Sequence, residues 1–412
     1  MPAPDKGARS GRGEMSGPTR RQLLLGGAVA GVGAATAIGT DHALSSTTSS
    51  AGEASVPLNG QEVVPFHGTH QAGIDTDAQA NGLFVALDLL DGTDRADLAR
   101  MMRILSDDAA RLTQGTPALA DSEPELALSP ARLTVTFGFG PGFVARAQGQ
   151  APAWLKALPS FAVDRLLPEF CDGDLLLQIA ADDPLTVAHA ARMLLKDTRS
   201  FASVRWSQQG FRRAHGTVKP GTTMRNLFGQ VDGTSNPSPG TTDFDQVVWN
   251  AEGWLAGGTS VVVRRIGMDL DKWDRLDRGG REQSVGRYLS DGAPLTGTDE
   301  HDEPDFAATT PIGFPVIPEF SHMRRARSEN EAERIFRRAY NYDDRPTGEG
   351  ISRSGLIFVS FQADVERQFV PIQRRLDQLD LLNEWTVPVG SAVFAVPPGC
   401  AEGGFVGDTL LT

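Results

Sequence analysis

Side chains able to do redox or acid–base chemistry are few in this chain and cluster in short runs. Its seven histidines stand at 42, 67, 70, 189, 215, 301 and 322, and its two cysteines at 171 and 400. No HExxH pair and no Cys/His cluster with zinc spacing is present. A GxSxG elbow, a Walker loop and a dinucleotide GxGxxG are missing too. Gly138-Phe139-Gly140-Pro141-Gly142 only looks like the last of these, because Pro141 disrupts the phosphate-binding turn. Most hydrolases, kinases and Rossmann dehydrogenases are thereby excluded. Three runs stand out instead. Asp232 lies in Arg225-Asn226-Leu227-Phe228-Gly229-Gln230-Val231-Asp232-Gly233-Thr234, where an Asp ahead of a glycine suits a tight turn. His322 lies in Phe320-Ser321-His322-Met323-Arg324-Arg325-Ala326, and Arg337 in Arg334-Ile335-Phe336-Arg337-Arg338-Ala339-Tyr340-Asn341-Tyr342. Singly, each has an ordinary structural reading: an Asp-Gly turn, a core or surface histidine, a solvated arginine pair. As chemistry, they offer a proton carrier, a metal-ligating imidazole and a permanent cation.

Together, and in this order, the runs resemble the dye-decolorizing (DyP-type) haem peroxidases. Gly229-Gln230-Val231-Asp232-Gly233 matches that family's GxxDG motif. His322 followed by Met-Arg-Arg-Ala matches its proximal-histidine segment, and Arg337 its distal arginine. The flanks agree at Phe66-His67-Gly68-Thr69-His70-Gln71-Ala72-Gly73-Ile74, at 259–275, at Gly292-Ala293-Pro294-Leu295 and at Leu382-Asn383-Glu384-Trp385-Thr386. The resemblance spans residues 60–411 and looks closest to an exported subgroup that includes the iron-transport-associated peroxidase/deferrochelatase. Many relatives carry an aromatic and a basic residue where Gln230 and Val231 stand, and glycine where Ala339 stands. These departures bear on the shape of the distal pocket and replace no catalytic group.

The resemblance implies an α+β fold of two duplicated ferredoxin-like halves, antiparallel sheets with helices packed on them. It implies one haem b per chain, held mainly by the second half. His322 would be the iron ligand, with Glu384 on its other nitrogen raising its basicity. Asp232 would shuttle the peroxide proton, and Arg337 would polarise the leaving oxygen. Arg264 would meet the haem propionates; Arg265, on the opposite face of a regular strand, reads as a surface charge. Asn226 and Thr234 would add polar contacts near the cofactor, or serve only the turn. Phe358 or Phe361 would wall the distal pocket, unless they are plain core. Tyr340, Tyr342 and the six tryptophans are electron-relay candidates whose ordinary role is packing. The implied function is an exported haem b peroxidase that reduces H2O2 and oxidises bulky organic donors such as dyes. Rival readings are a haem deferrochelatase or iron-uptake component, a haem carrier with no need of Asp232 and Arg337, and an exported module without haem.

The elements that must hold these residues are legible as patterns. The chain has 412 residues, 40% hydrophobic and 22% charged, enough apolar material for a core and too much for global disorder. Its net charge of −13 argues against a nucleic-acid partner. Two cysteines exclude a disulfide scaffold and an iron–sulfur site. Apolar runs predict strands at 82–89, 133–138, 174–180, 201–206, 259–266, 355–361 and 391–396. Helical spacing predicts helices at 94–113, 185–196 and 363–379, with Met101 and Met102 as core. The units 174–206 and 355–396 look alike, each a strand, an acidic turn, a helix and a strand, which hints at duplication. The halves would run 59–215 and 216–412, with long loops at 234–245 and 288–316.

The start of the chain reads as an address. Arg20-Arg21 before Gln22-Leu23-Leu24-Leu25 and a Gly/Ala-rich stretch forms a twin-arginine export signal over 1–43. Ala35-Thr36-Ala37 and Ala43 are the cleavage candidates, and 44–58 reads as a flexible tether. The implied partner is the twin-arginine export machinery, which carries proteins already folded. The mature chain would be extracellular, periplasmic or wall-associated, without stable membrane insertion. Its oligomeric state is open.

Overall fold

Among the described residues there are nine strands, most of them on apolar runs: β1 (Asn81–Leu89), β2 (Thr134–Phe139), β3 (Leu175–Ala181), β4 (Ala202–Phe211), β5 (Thr259–Met268), β6 (Phe336–Arg337), β7 (Tyr340–Asp344), β8 (Arg353–Gln362) and β9 (Thr386–Val396). The computed structural model describes residues 58–348, 350 and 352–412. The export signal, and the tether apart from residue 58, lie outside the described residues. The helices that matter for the site are α1 (Arg95–Thr113), α2 (Pro184–Thr198), α3 (His322–Ala326) and α4 (Val370–Leu379). Acidic caps start three of them or the turns that feed them. Asp94 forms a capping box with Asp97 at α1, Asp183 caps α2, and Asp364 caps the π-helical turn Val365–Phe369 that runs into α4. Thr242–Val248 is helical, so the loop expected over 234–245 is shortened, and a further helix at Arg278–Val285 carries no clear sequence signal.

The strands order as β5-β9-β2-β3-β1-β4-β7-β8-β6, with β5 also pairing to β8. Each half thus keeps a ferredoxin-like order: β2-β3-β1-β4 in the first, and β9-β5-β8 with β6 and β7 beside it in the second. The two half-sheets do not stay apart. Phe139 pairs with Ala395 at one seam and Phe211 with Asn341 at the other, closing a single antiparallel ring.

Alternation along each strand sorts residues to the two faces of this ring. Phe84, Ala86, Val261, Val263, Ile357, Val359, Phe361 and Phe394 meet in one cluster between the half-sheets. Leu83, Val85 and Leu87 face the other way and pack with Leu98, Met101, Met102 and Leu105 of α1. Tyr340 and Tyr342 point into the inner cluster, which leaves no room for a side chain opposite them. A Cβ on Gly210 would approach Tyr340 Cβ to 2.6 Å, and one on Gly355 would approach the Tyr342 ring to 2.5 Å. On the outer face of the second half, Phe228, Met268, Trp273, Ala339, Leu356, Leu382 and Trp385 form a third cluster. This face carries the site.

Candidate active site

The GxxDG segment folds on its own side chains. Asn226 Oδ1 accepts from the backbone N–H of Phe228 (3.1 Å) and of Gln230 (3.2 Å), an Asx-type turn. Gly229 takes the left-handed conformation this turn needs, at φ +80°. Phe228 stacks on Trp273, ring centroids 4.4 Å apart, and pins the tip in the third cluster. Arg225 ties the turn to its neighbour, donating to the carbonyls of Gly229, Leu289 and Ser290. Asp232 emerges from this frame. Its Oδ1 accepts from Arg337 Nη1 at 2.9 Å, and Asn226 Nδ2 donates to Oδ2 at 3.4 Å. Both partners are partly open, Asp232 at 10% and Arg337 at 26% of the side chain.

His322 is the first residue of α3. Its Nδ1 donates to Asp380 Oδ2 at 2.6 Å. Asp380 follows α4, and its Oδ1 accepts from Leu382 N–H, capping the turn Leu381–Glu384. Backbone contacts lock α3 to α4: Arg325 donates to the Arg375 carbonyl, and Leu381 N–H donates to the Phe320 carbonyl. Burial alone would hold the imidazole below its usual pKa. The charge and hydrogen bond of Asp380 more than reverse this, and the net direction is upward. With the proton on Nδ1, the lone pair of Nε2 is left for a ligand. The ring lies deep in the protein, yet 33% of its side chain is reachable. The charges of Asp232 and Arg337 both act on the ring, which puts the acid–arginine pair in its neighbourhood.

The remaining expected site residues divide. Thr234 gives its hydroxyl to Glu300 Oε1 at 2.9 Å, an acceptor shared with Thr223, so its contact is with a loop carboxylate. Glu384 is not the partner of His322: its side chain is 62% exposed and it pairs with Lys272 Nζ at 3.0 Å. The turn that Asp380 caps carries Glu384 round to solvent. Arg264 shares the site's sheet face with its β8 partner Phe358, but it is 1% exposed and ion-paired with Asp164. Its Nε and Nη1 are buried without a hydrogen-bond partner. Arg265 is no surface charge. It is 7% exposed, lies 4.0 Å over the Phe170 ring and pairs with Asp344. Phe358 lies beside the third cluster, whereas Phe361 is fully buried in the inner one and walls nothing on this face.

The family model for the Dyp-type peroxidase N-terminal region matches residues 71–212, and that for the C-terminal region matches 223–401. The chain belongs to the Dyp-type peroxidase family. It is 38% identical over 359 residues to a dye-decolorizing peroxidase of Thermobifida fusca, covering 83% of each chain. It is 36% identical over 419 aligned positions to a deferrochelatase of Escherichia coli O157:H7, covering 96% of this chain and 97% of that one. The crystal structure of a DyP-type peroxidase from Cellulomonas bogoriensis superposes with a TM-score of 0.84 at 55% identity, over 86% of this chain and 99% of that one. The expected family, the ferredoxin-like α+β fold and the class of enzyme are thus as the sequence indicated.

In this Dyp-type peroxidase, two residues at the site escaped the sequence reading. Asp380 had a signal, since an Asp just past a helix and before Leu-Leu-Asn-Glu is a cap candidate. Asn236 had less: it is one polar residue among several after Asp232-Gly233. Its partner, the backbone of Arg337, is distant in sequence.

Proposed function

We propose that this chain is an exported haem b peroxidase that reduces H2O2 and takes electrons from bulky organic donors. The observation that carries the reading is the hydrogen-bonded Asp232–Arg337 pair, whose charges act on an imidazole held at Nδ1 by a buried carboxylate. Among the described residues, no group of three or more His, Cys, Asp or Glu is arranged around a bare metal ion. A single imidazole suits an iron whose remaining ligands come from a porphyrin.

His322 would ligate the iron through Nε2, and Phe228, Leu356 and Leu382 supply apolar surface on the same face. Arg264 would hold an anionic group of the cofactor through the two donors not engaged by Asp164. Bound haem supplies an iron that exchanges electrons with peroxide and with the donor. The rest falls to side chains. Reduction of H2O2 to two waters takes two electrons and two protons. Asp232 takes the proton from one peroxide oxygen and returns it to the other. Arg337, cationic throughout, draws electron density toward the leaving oxygen and stabilises the charge that develops there. Asp380 keeps the proton on Nδ1 and strengthens Nε2 as a donor. Tyr340 and Tyr342, buried between the half-sheets, are close in sequence to Arg337 and could pass electrons outward.

Export by the twin-arginine route is supported by Arg20-Arg21 and the weakly apolar stretch behind them. Among the described residues no helix is long and apolar enough to cross a membrane. A second reading, release of iron from haem, is favoured by the similarity to the E. coli deferrochelatase. Stopped-flow absorbance of the haem-loaded protein with one equivalent of H2O2 separates them. A rapid Soret change, reversed by an organic reductant, is the expected result. A Soret band indifferent to peroxide refutes the peroxidase reading, and recovery of iron-free porphyrin establishes the second.

A further inference from the structure

Arg337 ends a strand of only two residues. β6 pairs with β8 through Phe336 to Phe361 and Arg337 to Ser360. The next residue, Arg338, donates its N–H to the Val359 carbonyl at 2.9 Å. Backbone groups of an antiparallel strand alternate in direction, so the N–H and C=O of Arg337 point away from β8. Among the described residues no strand lies on that side. A side chain takes its place. Asn236 Nδ2 donates to the Arg337 carbonyl at 2.7 Å, and Asn236 Oδ1 accepts from the Arg337 N–H at 3.0 Å. One amide thus makes both contacts that a neighbouring strand would make.

Asn236 is itself fixed to the GxxDG segment. Its N–H donates to the Gly233 carbonyl at 3.0 Å, closing the turn that begins directly after Asp232. Gly233, at φ +129°, provides the backbone freedom this turn needs. The same turn therefore grips Arg337 twice: Asp232 meets its guanidinium and Asn236 its backbone. The guanidinium needs such help. It is 26% exposed, and among the described residues it makes one side-chain hydrogen bond, the 2.9 Å bond to Asp232. An arginine has many rotamers, so its reach is set by where its backbone is held.

We propose that Asn236 is a positioning residue for the peroxide reaction, fixing the backbone of Arg337 so that its guanidinium meets Asp232. The proposal rests on the peroxidase reading above and deepens it. Asn236 touches neither peroxide nor cofactor in this scheme; it acts through Arg337 alone.

The test uses ferric haem-loaded wild type, Asn236→Ala, Asn236→Asp, Arg337→Leu and the double variant Asn236→Ala/Arg337→Leu. Two quantities are read: the affinity for fluoride, a small anion that the Arg337 guanidinium would hydrogen-bond at the bound haem, and the rate of reaction with H2O2. Asn236→Ala should keep its haem, weaken fluoride binding, and slow the peroxide reaction by about tenfold to a hundredfold. In the Arg337→Leu background the same change should cost no more than about twofold, because the group it positions is gone. Asn236→Asp keeps the acceptor for the Arg337 N–H but sets a carboxylate oxygen against its carbonyl. It should be at least as impaired, and it carries the test should the alanine variant not fold. An Asn236→Ala enzyme within twofold of wild type on both readouts overturns the proposal. So does a loss of equal size in the Arg337→Leu background. A wild type that ignores peroxide refutes the functional reading instead, which keeps the two failures apart.

Discussion

Replacing Asp380 with Asn tests the proximal geometry by a change of two atoms' chemistry and almost no volume. The carboxylate accepts two hydrogen bonds at once, Oδ2 from His322 Nδ1 at 2.6 Å and Oδ1 from Leu382 N–H at 3.0 Å. An amide has one oxygen for these two donors. If the oxygen stays on Leu382, the NH2 group faces His322 and drives the ring to the other tautomer, which puts the proton on Nε2. If the oxygen turns to His322, the Leu382 N–H loses its cap. Asp380 is 6% exposed, so water cannot cheaply repair either loss. An unsatisfied buried donor costs about 1–3 kcal/mol. Removing a charged partner behind a metal-ligating histidine typically weakens binding by about 10- to 100-fold, or roughly 1.4–2.7 kcal/mol. The assay is competition for haem between the loaded protein and an apoprotein scavenger, with thermal melts of the unloaded variants to separate folding cost from ligand cost. Glu384→Ala, which removes only an exposed contact with Lys272, should retain haem like wild type. Should Asp380→Asn hold haem as tightly as wild type, or Glu384→Ala lose it, the assignment of the proximal carboxylate fails.

Arg337→Leu should slow the reaction with peroxide by about a hundredfold or more, as loss of an electrostatic donor to developing charge does. Asp232→Ala should do likewise in single-turnover stopped flow. If Asp232→Ala reacts at the wild-type rate, the arginine alone carries the distal chemistry. Burial, then the neighbouring Asp108 carboxylate, pushes Asp197 up to about 7. At this group the folded state therefore holds its proton where the unfolded one has lost it, between about pH 4 and 7, so the contribution of Asp197 to stability falls as pH rises through that window. Urea midpoints should show this slope in wild type and lose it in Asp197→Asn, which should be the more stable protein above pH 7; equal slopes would contradict it. Gly355→Ala sets a Cβ 2.1 Å from the Ile266 carbonyl and 2.5 Å from the Tyr342 ring. It should destabilise by about 1–3 kcal/mol or more in chemical unfolding. A variant as stable as wild type would mean that the inner cluster yields more easily than its packing suggests.

Local signals were read well and distant partners poorly. Strand β5 and helix α1 lie within one or two residues of their expected bounds, because apolar periodicity and acidic caps are properties of neighbouring residues. The meeting of Asp232 with Arg337 came from the family resemblance. No pattern within either run announces it. Among Asp377, Asp380 and Glu384, which lie within eight positions, only the path of the backbone past α4 decides which reaches His322. Alternation placed Arg264 and Arg265 on opposite faces. It could not reveal that Asp164 and Asp344, far away in the chain, would take both arginines out of solvent. Thr234 is a similar case, its acceptor Glu300 lying 66 residues on. Ring closure was equally invisible, since each seam is a single residue pair.

That closure gives the last strand an unusual place in time. β9 lies between β5 and β2, bridging the half made second to the half made first. A ribosome releases the chain from its beginning, so β2 waits with one edge open until residues 386–396 have been synthesised. Until then the first half presents an unpaired edge that invites pairing with other chains. The ring is completed only once β9 has been made, and that step joins residues far apart in sequence, which makes it slow.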